Sequence, residues 1–247
     1  MIQHLLQLIW NQRKQNAWLW AELLLVSVFL WFLVDYLYVM GRTYTAPLGF
    51  DIRHTYSIVI SSLSERSPDY IPKEKRERPD GVHLLTALDR IRTYPGVESA
   101  CLTDGGMPYY MGSRNLVWRI DTLQVPCRYA FVTPEFFDVF RIYDKDGKTA
   151  SLKRAIEDNN SIVISADVET MNPGLSLLGQ KAYRGNVTDE IEETIRGISV
   201  PIRRHEYTKA EPNVYRALRL SRMEEGYYEG MIDAVRLCVR VRPDVDN

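Results

Sequence analysis

The chain has 247 residues, enough for one large domain or for two small domains with a membrane segment. Lysine and arginine total 31 against 32 aspartate and glutamate, so the balanced charge gives no electrostatic reason to expect a nucleic-acid partner. The three cysteines contain no C-x-x-C pair, which excludes a disulfide framework and a zinc knuckle.

One apolar stretch near the N-terminus is long enough to cross a bilayer. Residues 18–40 (WLWAELLLVSVFLWFLVDYLYVM) contain two charged side chains, Glu22 and Asp35, and both lie near the ends. As a helix the stretch would be roughly 35 Å long, and its terminal aromatic residues suit the membrane interfaces. We therefore predict a transmembrane helix over residues 17–40. Its predicted membrane-anchor residues are Trp18, Trp20, Leu23, Leu24, Leu25, Val26, Phe29, Leu30, Trp31, Phe32, Leu33, Val34, Tyr36 and Tyr38.

Two other interpretations of this stretch compete with a membrane span. Residues 23–34 have the length of the apolar region of a signal peptide, but the bulky sequence after Asp35 offers no small-residue cleavage site. A buried helix of a soluble protein usually keeps one polar face, whereas tryptophan and phenylalanine side chains would point all round this helix. A membrane span accounts for the stretch better than either alternative.

The residues before the span predict its orientation. Arg13 and Lys14 precede it and no acidic residue does, which places the short N-terminus in the cytoplasm and the rest of the chain outside. Residues 1–16 also carry an apolar stripe at helical spacing. This amphipathic cytoplasmic segment is either a helix lying on the inner membrane surface or the first turns of the long helix. The stripe consists of Ile2, Leu5, Leu6, Ile9 and Trp10.

After the span the pattern becomes that of a mixed α/β domain. The predicted strands cover residues 56–63, 97–102, 115–120, 125–132, 162–164 and 235–241. Helices are predicted around residues 84–91 and 168–171. A further short helix follows Thr133, with Thr133 as its N-cap and Pro134 in its first position. Residues 144–147 (DKDG) are predicted to form a turn.

The final predicted strand alternates apolar and basic residues. Its apolar residues, Val235, Leu237, Val239 and Val241, would face the core. The residues between them include Arg236, Arg240 and Arg242, which we interpret as a solvated basic face of an antiparallel sheet.

No pattern for catalysis, cofactor binding or a metal site is recognisable. Gly147-Lys148-Thr149 resembles the end of a phosphate loop, but the glycine required five residues earlier is Ile142. The histidines, His4, His54, His83 and His205, show no metal-binding spacing. The sequence therefore predicts a protein that is not an enzyme and that holds no cofactor.

The cysteines are predicted to be buried free thiols. A bridge between Cys101 and Cys127 is the alternative in an oxidising compartment. Both residues, however, lie in strand-like apolar stretches where a free buried thiol is the default.

Several short motifs follow one another in a recognisable order. They are PGVES at residues 95–99, TPEFFDVF at 133–140, the turn containing Asp146-Gly147, the strand and helix of 162–168, and IRGISV at 195–200. Together with the N-terminal span, this order resembles the MacB-like periplasmic core domain of ABC transporter permeases of the MacB/FtsX type. The resemblance covers essentially the whole chain.

The resemblance implies an α+β fold: one N-terminal transmembrane helix followed by a two-lobed mixed α/β extracytoplasmic domain over residues 41–247. One lobe would comprise residues 50–110 and 205–247, approximately, and the inserted lobe residues 111–204. It also implies a permease subunit of the bacterial inner membrane, of the export or lipoprotein-release type, that carries out no covalent chemistry.

The partners that the resemblance implies are a cytoplasmic ABC ATPase, a second permease copy in a homodimer or heterodimer, and a periplasmic adaptor or a peptide or lipoprotein cargo. Permeases of this family have three further spans after this region, and residues 41–247 contain no apolar stretch of that length. We therefore expect the chain to correspond to the first span and periplasmic region of such a permease. The alternative is a single-pass extracytoplasmic sensor.

Overall fold

The computed structural model describes residues 2–11, 17–61, 63–72, 75–110, 112, 114–184, 191–228 and 232–245. It divides the chain into two compact units, Met1–Pro47 and Leu48–Asn247. Arg13 and Lys14, on which the predicted orientation depends, lie outside the described residues.

The first unit consists of helices α1 (Ile2–Asn11) and α2 (Ala17–Thr45). The 29 residues of α2 correspond to about 44 Å of helix, and the helix ends at Thr45 rather than at residue 40. At this end the Thr45 hydroxyl donates a hydrogen bond to the carbonyl of Gly41 at 3.0 Å. No residue of α2 is buried.

The second unit is a mixed α/β domain, which confirms the predicted fold class. Its helices are α3 (Asp80–Arg92), α4 (Phe136–Val139), α5 (Ala150–Ala155), α6 (Asp167–Met171) and α7 (Leu220–Glu224). Its strands are β1 (Thr55–Ile58), β2 (Val97–Asp104), β3 (Arg114–Ile120), β4 (Leu123–Val132), β5 (Ser161–Ser165), β6 (Lys181–Arg184), β7 (Ile191–Ser199), β8 (Asn213–Ala217) and β9 (Arg236–Val241).

Within the described residues the strands form one sheet in the order β1-β9-β2-β4-β3-β6-β7-β5-β8. An additional parallel pairing of β4 with β8 closes six of these strands into a ring, in the order β4-β3-β6-β7-β5-β8. Strand β2 joins this ring only through Thr103 opposite Val132 and Asp104 opposite Phe131. The antiparallel strands β1, β9 and β2 therefore form an extension beside a closed barrel.

Three apolar clusters stabilise this unit. Every strand of the ring contributes to one of them, as expected of a barrel interior, and Trp118 and Ile164 are fully buried there. Helix α3 covers the extension through Leu84 and Leu88 in the second cluster. The third is built around Phe136 and combines residues of the ring and of the extension. The boundaries proposed for the two lobes stay a prediction.

Strand β1 is shorter than predicted. It covers Thr55–Ile58 instead of residues 56–63, and Ile58 pairs with Leu237 of β9. Since β9 begins at Arg236, the ladder could extend β1 by one residue at most, to Val59. The length of a strand thus depends on its neighbour as well as on its own β-branched residues.

Thr133 does not cap the helix that follows it. Helix α4 begins at Phe136 without a side-chain cap, and the Thr133 hydroxyl accepts a hydrogen bond from the Leu102 backbone N–H at 3.2 Å. The Thr133 side chain therefore connects the end of β4 to β2. The predicted buried face of this helix is confirmed, because Phe136, Phe137 and Phe140 are all buried.

The interpretation of β9 as a strand with a solvated basic face is wrong at Arg240. Leu237 and Val239 are buried as predicted, but Cys238 and Arg240 on the opposite face are buried as well. The Arg240 guanidinium donates hydrogen bonds to the carbonyls of Val139 and Arg53, each at 2.7 Å, and to that of Asp51. It is a structural side chain that satisfies backbone carbonyls.

The three cysteines are free, and the alternative bridge between Cys101 and Cys127 is wrong. Cys101 precedes Thr103 by two residues in β2, and Cys127 precedes Val132 by five residues in β4. Because the strands are antiparallel, the two cysteines lie on opposite sides of the Thr103–Val132 pair. At about 3.3 Å per residue this separates them by roughly 20 Å, well beyond the reach of a disulfide. Cys101 instead lies opposite Cys238 in the β2–β9 ladder.

We expect no cysteine to react with Ellman's reagent in the native protein. All three are at most 1% exposed, and burial raises the pKa of Cys101 and raises that of Cys127 to about 12, so reactive thiolate is scarce. In guanidinium chloride all three thiols should react. Reaction in the native state would contradict this prediction, and recovery of a single thiol after denaturation would show a bridge between Cys101 and Cys238.

Candidate functional site

The predicted membrane-anchor residues all lie on α2, where their exposed fractions range from 40% for Leu33 to 79% for Trp18. Their apolar side chains are distributed all round the helix, so α2 has no polar face. By length and composition α2 is a candidate membrane span. The assignment of these residues as anchors stays a prediction.

The histidines are not brought together with other metal ligands. Within the described ranges, the structure contains no group of three or more His, Cys, Asp or Glu side chains that could hold a metal ion. His205 lies in a loop, where its Nδ1 atom accepts a hydrogen bond from the backbone N–H of Tyr207 at 3.3 Å. This contact gives His205 a local structural role.

Gly147-Lys148-Thr149 forms part of a turn, as predicted. The Asp144 carboxylate accepts the backbone N–H groups of Asp146 at 2.9 Å and Lys148 at 2.8 Å. Burial acts to raise the pKa of Asp144, but a hydrogen bond from the Ser151 hydroxyl and these two backbone hydrogen bonds lower it overall. The N–H groups that a phosphate loop would present to an anion are thus bound to a carboxylate of the chain itself.

Replacing Gly147 by alanine is expected to lower the free energy of unfolding by about 1 kcal/mol. Gly147 has φ of +75°, but an added Cβ would meet nothing within 4 Å, so the cost is confined to the backbone. Gly147→Asn is the matched control, because asparagine tolerates this conformation better. Urea denaturation measures both variants, and an equal loss in the two would contradict the explanation.

Many charged side chains of the second unit line a cleft of about 510 Å³. We call it the arginine cleft, because guanidinium groups from separate parts of the chain meet there. Its charged residues are Arg114, Arg184, Arg216, Arg219 and Arg222, with Asp104 and Glu193. Its remaining walls include Phe131, Ile191, Tyr227, Tyr228, Asn159 and Asn160.

Glu193 is the central carboxylate of the cleft. Its side chain is 2% exposed and accepts a hydrogen bond from Nε of Arg216 at 2.7 Å. The Nε atom of Arg184 lies 3.5 Å from its other oxygen. Arg216 is itself nearly buried and lies over the Phe131 ring at 4.9 Å. Burial lowers the pKa of Arg216 although Glu193 acts in the opposite direction.

A second ion pair lies at the β2 side of the cleft. Arg114 donates a hydrogen bond to the Asp104 carboxylate at 2.7 Å. Burial raises the pKa of Asp104 despite this contact, and burial together with Asp104 raises the pKa of Tyr228 to about 12. The described lining of this cleft thus contains two carboxylates and five guanidinium groups.

Sequence reasoning missed the arginine cleft. Its arginines come from β3, β6, β8 and the region of α7, so no basic run marks them in the sequence. The one local signal is the short spacing of Arg219 and Arg222, which lie at the N-cap and within the short helix α7.

No protein-family model and no curated protein matches the sequence. Among solved structures the chain is similar to a domain of a protein described as a permease, from Porphyromonas gingivalis, with 20% identity and a TM-score of 0.46. This match covers 64% of our chain and 61% of that chain, so the chain spans less than two thirds of it.

The chain is also similar to the periplasmic region of MacB from Actinobacillus actinomycetemcomitans. The identity is 10%, the TM-score is 0.45, and the match covers 83% of our chain and 82% of that one. The extracellular domain of the ABC-type transporter YknZ from Gram-positive bacteria has 12% identity and a TM-score of 0.44, with coverage of 77% and 85%. These structures are of the kind that the sequence motifs resemble.

Proposed function

We propose that this chain is a membrane-anchored, extracytoplasmic part of an ABC-type permease. The observation that carries the proposal is α2, a 29-residue helix with apolar side chains exposed all round, followed in the chain by a mixed α/β unit. Transfer of one exposed leucine or phenylalanine from water to an apolar environment gains roughly 1.5 to 3 kcal/mol. The many such residues of α2 therefore favour insertion into a bilayer.

In the proposed arrangement the N-terminus lies in the cytoplasm and Leu48–Asn247 outside the inner membrane. Arg13 and Lys14 support this orientation through the excess of basic residues on the cytoplasmic side of spans. The second unit would then bind partners or cargo and respond to ATP-driven motion of a cytoplasmic ATPase. It would act as an interaction module and not as an enzyme, in a homodimer or with a second permease chain.

This function is tested by affinity purification of the native protein from detergent-solubilised membranes. Mass spectrometry then identifies the proteins that co-purify with it. Co-purification of an ATP-binding-cassette subunit is the expected result. Recovery of a histidine kinase or another cytoplasmic signalling protein would instead favour an extracytoplasmic sensor. Turnover of a substrate by the purified second unit would contradict the non-enzymatic role.

The orientation is tested by two single substitutions at exposed positions, Gln7→Cys on α1 and Lys209→Cys in the second unit. In intact spheroplasts a membrane-impermeant maleimide should label Lys209→Cys and should leave Gln7→Cys unlabelled until the membrane is permeabilised. The native cysteines give no background because all are buried. The opposite labelling pattern would contradict the proposed orientation.

A further inference from the structure

We propose that the arginine cleft binds a small organic anion carrying at least two negative charges. Among the described residues the cleft brings five guanidinium groups together with two carboxylates, an excess of three positive charges, over a volume of about 510 Å³. Like charges held this close repel one another, and a bound anion removes that cost. The chain as a whole carries a net charge of −1, so the excess is specific to the cleft.

Arg219 and Arg222 provide the groups that face a ligand. Neither has a carboxylate within 4.0 Å among the described residues, although both line the cleft. Arg219 is the N-cap residue of α7, with an extended backbone, and Arg222 lies within the helix, so the two side chains come from one short segment. The Arg222 guanidinium lies over the Tyr227 ring at 5.3 Å, which holds it in place. The N–H donors of two planar guanidinium groups match the geometry of the oxygens of a phosphate or carboxylate group.

The deeper wall of the cleft supplies a further donor. The Nε atom of Arg184 is buried and makes no hydrogen bond with the described part of the chain, since its 3.5 Å contact with Glu193 is an ion pair of poor hydrogen-bond geometry. Glu193 therefore pairs less closely with Arg184 than with Arg216, at 3.5 Å against 2.7 Å, and the Arg184 charge adds to the attraction for an anion. Glu193, already bound to Arg216, fixes the position of this wall.

The remaining walls identify the ligand as organic. Phe131, Ile191 and Tyr227 provide apolar and aromatic surface beside the charged groups. The volume lies within the range of about 300–1,000 Å³ that small-molecule sites occupy. The side-chain amides of Asn159 and Asn160 add neutral donors and acceptors. Phosphate and carboxylate groups share the chemistry that the arginines recognise, so the experiment distinguishes between them.

Isothermal titration of the full-length protein in detergent tests the proposal with two organic probes, fructose 1,6-bisphosphate and citrate. Saturable binding of at least one probe that weakens with added salt is the expected result. The tighter probe identifies the preferred anionic group. Arg219→Gln/Arg222→Gln should weaken this binding by about tenfold or more, because charge-assisted hydrogen bonds are lost.

Arg66→Gln/Arg90→Gln removes the same charge at exposed sites outside the cleft and should leave the affinity unchanged. Unchanged melting temperatures without probe would show that the Arg219/Arg222 variant is folded. The proposal is overturned if the wild-type protein shows no saturable binding of either probe, or if both double variants lose affinity equally. The test is independent of the proposed membrane function, because it depends on this chain alone.

Discussion

Replacing Arg240 by methionine is expected to lower the free energy of unfolding by about 3 to 5 kcal/mol. The Arg240 side chain is 1% exposed, and its guanidinium satisfies the carbonyls of Asp51, Arg53 and Val139. Methionine fills much of the same volume but donates no hydrogen bond. Three backbone carbonyls would then remain in a buried environment without these donors.

Urea denaturation followed by tryptophan fluorescence measures the effect, because Trp118 is buried in the barrel interior. Arg236→Met is the matched control on the same strand and the same face. The Arg236 side chain makes no hydrogen bond or ion pair with the described residues, and its Nη1 atom is buried without a partner there. We expect a change of less than about 1 kcal/mol for this control. Equal effects of the two substitutions would show that the three carbonyl contacts of Arg240 contribute little.

Arg240 also shows where sequence patterns stop being informative. The alternation in β9 correctly predicts that Leu237 and Val239 share a buried face. It cannot reveal that the second face is covered too, because the covering segments are distant in the chain. Asp51 and Val139 lie 189 and 101 residues away from Arg240 in the sequence. Alternation identifies which residues share a face, whereas burial of that face depends on tertiary contacts.

The elements that the sequence predicted well are those with strong local signals. Helix α2 is a long apolar run, α3 has apolar residues at helical spacing, and β5 is a short β-branched run. Strands β6 and β8 carry weaker signals, and neither was predicted from its residue pattern. Strand β6 depends on β3 and β7 as partners, and β8 depends on β4 and β5. Strand formation of this kind follows from the neighbouring edges more than from propensity.

The arginine cleft could not be predicted for the same reason. Its central pair joins Glu193 of β7 with Arg216 of β8, and Arg184 comes from β6. Strands β6 and β7 are antiparallel neighbours, whereas β8 lies near them because it pairs with β5 and β4 and closes the ring. No spacing rule within the sequence connects Arg216 with the other two residues. The charge balance of the whole chain also conceals the local excess.

Replacing Glu193 by leucine is expected to destabilise the protein by about 3 to 5 kcal/mol. The substitution leaves Arg216, whose side chain is 12% exposed, without the carboxylate that accepts its hydrogen bonds. The cost arises from an uncompensated charge in a nearly buried position and not from the loss of a favourable pair alone. Arg216→Met should be similarly costly, because it leaves Glu193 buried at 2% exposure with only the longer contact to Arg184.

The double variant Glu193→Leu/Arg216→Met separates these two explanations. If desolvated charge dominates, the double variant should recover most of the stability, because two apolar side chains of similar volume replace both charges. Urea denaturation of the four proteins gives the coupling free energy directly. Additive losses in the double variant would mean that the two side chains act independently. Recovery would show that the pair adds little net stability, and that Glu193 is required because its loss leaves the Arg216 charge uncompensated.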